Sequence, residues 1–138
     1  MSNLVRLSMS LDKSLARRLD ALVARARYDS RSEFLRDLVR QAAVERQWQA
    51  DEEVLGTLTL LYDRGQRGLT ERLTGIQHSR PGEVLAATHV HLTHDLCAEM
   101  IMVRGRAGDL TRLADALRQL KGVLHAALSM SSTGRDVR

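Results

Sequence analysis

Three of the chain's five histidines and its only cysteine lie within ten residues, from Thr88 to Cys97. Alternate side chains of a strand share a face, which puts His89 and His91 about 7 Å apart on one side. If the chain reverses between Leu92 and Leu96, Cys97 returns beside His91, and two imidazoles with a thiolate form a ligand set for a transition metal. Ni(II) or Cu(II) in a planar site and Zn(II) in a tetrahedral site remain open. The alternative is two half-exposed strand histidines and a small buried cysteine.

The composition is typical of a soluble globular protein, with 138 residues that are 43% hydrophobic and 28% charged. No run approaches the roughly 20 apolar residues of a membrane span, and the amino terminus lacks a signal-peptide pattern. We therefore expect a cytoplasmic protein with no membrane contact, in which a lone cysteine stays reduced. The net charge of +4 arises in residues 1–50, which carry ten Lys/Arg against six Asp/Glu. This basic excess favours a phosphate-rich partner.

The first 46 residues predict a strand and two helices. Residues 4–10 alternate, with Val5, Leu7 and Met9 on one face and Arg6, Ser8 and Ser10 on the other. The next forty residues contain no strand to pair with this one, so we expect it to pair with a second copy of the chain. Asp12 is placed to cap the first helix, and Ser30 with Glu33 forms a capping box for the second. So small a module cannot close a core alone, which predicts an intertwined dimer.

This segment resembles the ribbon-helix-helix DNA-binding domain in the residues Arg6-x-Ser8-x-Ser10-Leu11-Asp12 and Tyr28-x-x-Arg31-Ser32-Glu33. In that family a ribbon from two chains enters the major groove, which implies base contacts by Arg6, Ser8 and Ser10. The amino terminus of the second helix, at Ser30, Arg31 and Ser32, would hold a phosphate through backbone N–H groups. Arg27 departs from the family, which often has Gly at this position after the first helix. A left-handed conformation would cost Arg roughly 1 kcal/mol, so we expect a different turn here.

From residue 54 the periodicity repeats as strand, helix, strand, strand, helix, strand. The predicted elements are 54–62, 66–78, 83–92, 98–104, 109–120 and 123–130, which is the ferredoxin-like βαββαβ arrangement. We interpret residues 47–53 as a linker in which Trp48 docks between the modules, and residues 131–138 as a frayed, flexible tail. In the third element we expect Leu85, Ala87, His89 and His91 to lie on the open face of the sheet, against another subunit.

The second half resembles the regulatory domain of the nickel-responsive transcriptional regulators, the NikR family, whose fold is a variant of the ACT domain. The matching residues are Gln77-His78 and His89-Val90-His91-Leu92-Thr93-His94-Asp95-Leu96-Cys97. In that family three ligands come from one chain and a fourth histidine from a neighbour across a tetrameric interface. The resemblance implies that the metal ligands are His89, His91 and Cys97 of one subunit and His78 of another. Such a planar set suits Ni(II), about one ion per subunit.

The resemblance covers residues 4–130 and implies an α+β protein. Its parts are a ribbon-helix-helix (βαα) dimerisation module at 1–46 and a ferredoxin-like, ACT-type domain at 54–130 that binds nickel and forms the tetramer. His94 and Glu99 are candidates to support a metal ligand from outside the coordination sphere. Glu33 and Asp37 share a helix face, which is typical of a solvated acidic pair and compatible with an accessory cation.

The resemblance further implies a homotetrameric, nickel-dependent repressor that binds a palindromic operator in double-stranded DNA and controls genes for nickel uptake or nickel enzymes. One alternative keeps the DNA-binding architecture but senses Zn, Cu or Co, and another senses a small ligand at subunit interfaces. A metalloenzyme is a distant alternative, because no Glu or Asp general base accompanies the metal motif and His78 fills the fourth position. We therefore predict a regulator and not an enzyme.

Overall fold

A computed structural model describes residues 3–80 and 83–138, which form four helices and four strands. The elements are α1 (Lys13–Arg25), α2 (Arg31–Gln49), β1 (Glu53–Asp63), α3 (Leu69–His78), β2 (Val84–His91), β3 (Leu96–Arg106), α4 (Ala107–Arg118) and β4 (Val123–Met130). The order from β1 to β4 confirms the predicted βαββαβ arrangement, and the chain is α+β. Two compact units, Met1–Val39 and Arg40–Arg138, divide the chain inside α2.

Both helices of the first unit begin at the caps predicted from the sequence. The Asp12 carboxylate accepts a hydrogen bond from the backbone N–H of Leu15 at 2.8 Å, which satisfies one of the free donors at the start of α1. The Ser30 hydroxyl accepts from the backbone N–H of Glu33 at 3.2 Å at the start of α2. Local side-chain chemistry therefore determines where each helix starts.

The turn after α1 adopts the left-handed conformation that we expected Arg27 to disfavour. Arg27 has φ 60°, so that expectation was wrong. Its backbone N–H donates to the Ala24 carbonyl and the N–H of Tyr28 donates to the Val23 carbonyl, both at 3.1 Å. This is the Schellman pattern, in which the two bonds satisfy carbonyls at the end of the helix. Those bonds offset the roughly 1 kcal/mol cost of a left-handed non-glycine residue.

Residues 3–12 form neither helix nor strand within the described single chain. The apolar side chains of this segment are strongly exposed, including Leu7 at 91% and Val5 at 79%. The pairing of this segment with a second copy stays a prediction, and the exposed apolar row is the surface that such a pairing would cover.

The second unit is a four-stranded antiparallel sheet in the order β2-β3-β1-β4. β1 and β3 occupy the centre, and α4 packs against β4, β3 and β1. The core lies between the sheet and its helices, and the following side chains fill it: Val54, Leu58, Leu60, Leu69, Leu73, Ile101, Val103, Leu110, Leu113 and Leu117. β2 is an edge strand, and seven of its eight residues, from Leu85 to His91, are exposed.

The end of α2 and the carboxyl-terminal segment are tied together within the second unit. α2 continues to Gln49, so three residues of the segment predicted as a linker are helical. The Trp48 indole N–H donates to the Ser131 carbonyl at 2.8 Å, and the buried Gln47 amide donates to the Arg135 carbonyl at 2.7 Å. We expected a frayed tail after residue 130, but these bonds hold it against the helix. The predicted domain boundaries stay a prediction: 1–46, 47–53, 54–130 and 131–138.

Candidate metal centre

A β-bulge in the edge strand decides which face of the sheet carries the histidines. Val84 pairs with Val103, but the register shifts between Val84 and Ala86, after which Ala87 pairs with Ile101. Ile101 and Val103 are fully buried beneath the helices, so Ala87 and the alternate residues that follow it lie on the helix-covered face.

The expectation that the histidines lie on the open face of the sheet was therefore wrong. His89 pairs with Glu99 and His91 with Cys97, and Cys97 belongs to the buried core. One extra residue in a strand moves every later side chain to the opposite face, and strict alternation from Val84 could not reveal it. Because β2 is an edge strand, both imidazoles are still exposed.

Three of the four predicted ligands converge at the β2–β3 end of the sheet. The candidate ligand atoms of His89, His91 and Cys97 all lie within 4.8 Å of one another. His91 Nδ1 is 3.3 Å from Cys97 Sγ, and the two imidazole centroids are 5.0 Å apart. Adjacent nitrogen and sulfur ligands on one ion, at about 2.0 and 2.3 Å from it, lie roughly 3.0–3.5 Å apart. The donor set and its spacing thus fit a transition-metal ion.

The turn between β2 and β3 produces this convergence. The backbone N–H of Leu92 donates to the Leu96 carbonyl at 2.9 Å. The Thr93 hydroxyl accepts from the backbone N–H groups of Asp95 and Leu96 at 3.3 and 3.1 Å. The chain therefore reverses between Leu92 and Leu96, as the convergence of His91 and Cys97 requires, and a threonine side chain stabilises the turn. His94 is exposed in this turn and lies outside the cluster of three.

His78, the fourth predicted ligand, is the last residue of α3 and is exposed. It does not belong to the cluster formed within the described part of this chain. The preceding residue, Gln77, donates its side-chain amide to Glu99 at 3.2 Å. Glu99, which we expected to support an imidazole, thus contacts the end of the helix that carries His78.

Tyr62, which was not predicted from the sequence as a site residue, contacts one imidazole of the cluster. It is 2% exposed, and its hydroxyl oxygen lies 2.9 Å from Nδ1 of His89. Burial, followed by the negative charges of Glu99 and Cys97, raises the pKa of Tyr62 to about 12, so the hydroxyl is protonated at neutral pH. The alternation of buried residues along β1 marks Tyr62 as a core residue, but only the pairing of β1 with β3 places it at the cluster.

Two family models match the chain. Residues 55–131 match the NikR C terminal nickel binding domain, and residues 5–46 match ribbon-helix-helix proteins of the copG family. A curated relative from Solibacter usitatus, assigned as a nickel-responsive regulator, is 43% identical over 139 residues and spans 100% of both chains. The chain belongs to the family of nickel-responsive regulators.

A second member assigned as a nickel-responsive regulator, from Desulfotalea psychrophila, is also 43% identical and covers 97% of this chain and 98% of its own. These relatives are regulators, which confirms the prediction of a regulator and not an enzyme. An uncharacterized protein of known structure from Thermotoga maritima aligns with 57% of this chain and 98% of its own at 12% identity and a TM-score of 0.52. That likeness concerns the fold alone.

In the first unit of this nickel-responsive regulator, Arg6, Ser8 and Ser10 are exposed on the amino-terminal segment. Arg31 forms a bidentate ion pair with Asp20 on α1, with distances of 2.6 and 2.7 Å. This pair occupies the Arg31 side chain. The phosphate contact predicted for Ser30, Arg31 and Ser32 uses backbone N–H groups, and the ion pair does not involve them.

The acidic pair on α2 has one member engaged by a tyrosine. The Tyr28 hydroxyl donates to the Asp37 carboxylate at 2.6 Å, and this bond, more than burial or charge repulsion, raises the pKa of Tyr28. Glu33 lies in the first turn of α2.

Among the described helices, none is long and apolar enough to cross a membrane.

Proposed function

We propose that the chain is a nickel-dependent DNA-binding repressor that assembles as a homotetramer and binds about one Ni(II) per subunit. The observation that carries this proposal is the convergence of His89, His91 and Cys97 within 4.8 Å in a chain of the nickel-responsive regulator family. Two imidazoles and one thiolate are donors that Ni(II) accepts in square-planar sites. A cytoplasmic location is part of the proposal, because a reducing compartment keeps the thiol of Cys97 free.

The fourth ligand in this proposal is His78 of a neighbouring subunit. Three protein ligands leave one position of a four-coordinate ion open. His89 and His91 are exposed at the edge of the sheet, where a second chain can approach, and His78 is exposed at the end of its helix. Each subunit would then give three ligands to one ion and one to another, and nickel would order the interface between them.

The amino-terminal segment is the proposed DNA-reading surface. Its exposed apolar residues would pair with a second chain, which turns Arg6, Ser8 and Ser10 toward the DNA. Arg can make a bidentate pair with guanine, and hydroxyls can donate or accept. A two-fold symmetric ribbon predicts a palindromic operator.

Nickel control of DNA affinity requires only modest coupling between the two sites. A tenfold tighter complex corresponds to about 1.4 kcal/mol, and thermodynamic linkage requires DNA to tighten nickel by the same factor. α2 belongs to both units, so any change at its carboxyl-terminal end acts on an element that continues into the DNA-binding unit.

The test is a nickel titration of the metal-free protein read by ultraviolet–visible absorption. We expect about one ion per chain, with a thiolate-to-nickel charge-transfer band and a square-planar spectrum. His78→Ala and Cys97→Ser should each abolish that spectrum. His125→Ala is the matched control, because this exposed histidine lies on β4, outside the cluster.

Mixing the two defective variants distinguishes a site between subunits from a site within one chain. A mixed tetramer can place the intact three ligands of a His78→Ala subunit beside the intact His78 of a Cys97→Ser subunit. Random assortment should then restore up to about a quarter of the sites. If subunit exchange is verified and the mixture still lacks the nickel spectrum, as each variant does alone, the result would contradict His78 as a ligand from a neighbouring subunit. A wild-type protein with no thiolate–nickel band would contradict nickel as the effector and direct the search to Zn, Cu, Co or small ligands.

A further inference from the structure

The side chain of Tyr62 lies in a cross-strand row with two of the candidate ligands. Tyr62 on β1 pairs with Cys97 on β3, and Cys97 pairs with His91 on β2. Residues opposite each other in antiparallel strands share a face and have Cβ atoms about 5 Å apart. The phenol therefore lies behind the metal-binding cluster, on its buried side, where Tyr62 is 2% exposed and Cys97 is fully buried.

From this position the Tyr62 hydroxyl reaches His89. Its oxygen is 2.9 Å from Nδ1, and the two rings are tilted by 60° with centroids 6.0 Å apart. A neutral imidazole carries one proton, and a metal ion takes the nitrogen that lacks it. When Nδ1–H donates to the tyrosine oxygen, the unprotonated Nε2 is the nitrogen left for an ion.

We propose that Tyr62 is a positioning residue for the metal site, whose hydroxyl holds Nδ1 of His89 and directs Nε2 toward the ion. Tyr62 thereby orients one ligand from the buried side of the cluster. This inference rests on the nickel function proposed above, but its first test requires no metal.

The substitution that tests the role is Tyr62→Phe, which keeps the aromatic ring in the core and removes only the hydroxyl. Tyr28→Phe is the matched control, because it removes the chain's other tyrosine hydroxyl, which donates to Asp37 in the first unit. Thermal unfolding of both variants measures the general effect of losing a hydrogen-bonded hydroxyl. The role of Tyr62 is then given by the difference between the two variants in the tautomer of His89 and in nickel affinity.

The first readout is nitrogen-15 NMR of labelled histidines in the metal-free protein. His89 should occupy a single tautomer in wild type and in Tyr28→Phe, and a mixture of tautomers in Tyr62→Phe. Spectra of His89 that are identical in wild type and Tyr62→Phe would overturn the proposal. This outcome is independent of whether nickel binds.

The second readout is nickel binding. Removing a partner that orients a metal ligand typically weakens metal affinity by about 10- to 100-fold, and we expect Tyr62→Phe to fall in that range. Wild-type nickel affinity in Tyr62→Phe would overturn the proposal, whereas a wild-type protein that shows no thiolate-to-nickel charge-transfer band would instead contradict the nickel function itself.

Discussion

The Cys97→Ser substitution should remove most of the thermal stabilisation that nickel confers. Cys97 is fully buried, and His91 Nδ1 lies 3.3 Å from its sulfur. A serine hydroxyl at the same place retains a hydrogen-bond partner, so the metal-free variant should lose only about 1 kcal/mol of folding free energy. The variant therefore folds and can be compared with wild type.

The nickel effect follows from linkage between binding and folding. With free nickel at about 100 times the dissociation constant, a folded state that alone binds the ion gains about 2.7 kcal/mol. For a unit of this size each kcal/mol raises the unfolding midpoint by about 4–8 °C, which predicts a rise of about 10–20 °C in wild type. The loss of one of four ligands should weaken affinity by at least the roughly 100-fold that an orienting partner can contribute. At the same nickel concentration the variant then gains only about 0.4 kcal/mol, a rise of about 2–3 °C.

The assay is circular dichroism or scanning calorimetry with and without nickel, at one fixed protein concentration, because assembly also contributes to the midpoint. His125→Ala should retain the wild-type rise, since that exposed histidine lies outside the cluster. A Cys97→Ser variant that keeps the full rise would refute the assignment of the sulfur as a ligand. A loss of the rise in His125→Ala as well would refute the claim that the effect is local to the cluster.

Three further substitutions test other parts of the molecule. Arg6→Ala should abolish sequence-specific operator binding and leave nickel affinity unchanged, and nickel-dependent footprinting that survives the change would remove Arg6 from base recognition. Asp12→Ala removes the acceptor for the Leu15 N–H and should lower the unfolding free energy by about 0.5–2 kcal/mol in urea titrations, an effect that Asp12→Asn should largely restore. Trp48→Phe replaces the indole with a smaller aromatic ring and loses the bond to the Ser131 carbonyl, so it should lower the unfolding free energy by at least about 0.5–1.5 kcal/mol and raise proteolysis after residue 130; equal proteolysis of both proteins would count against docking of the tail.

Local chemistry made much of this chain predictable from sequence. The caps at Asp12 and Ser30 depend on side chains that reach backbone donors three residues away. The alternation of β1 and the helical spacing of α4 reflect one buried face each, so the βαββαβ order follows from periodicity. The convergence of His91 and Cys97 required only a tight reversal between two strands.

Contacts distant in sequence could not be predicted in this way. The bulge near Ala86 depends on how β2 meets β3, and it reversed the predicted face of the histidines. Arg27 adopts a left-handed turn because carbonyls at the end of α1 accept its N–H and the next. The docking of the carboxyl-terminal segment depends on Gln47 and Trp48, more than eighty residues away in the chain.

The sequence by itself determined the element order, the helix starts and the three donor residues of one local segment, because each depends on neighbours within a few positions. Only the tertiary structure places these donors on the helix-covered face of the sheet and Tyr62 on the buried side of the cluster. The physical reason is strand register, which is determined by packing between segments far apart in the chain and which a shift of one residue reverses. Side chains that contact a metal-binding residue from another strand are therefore the hardest part of a site to predict from the sequence.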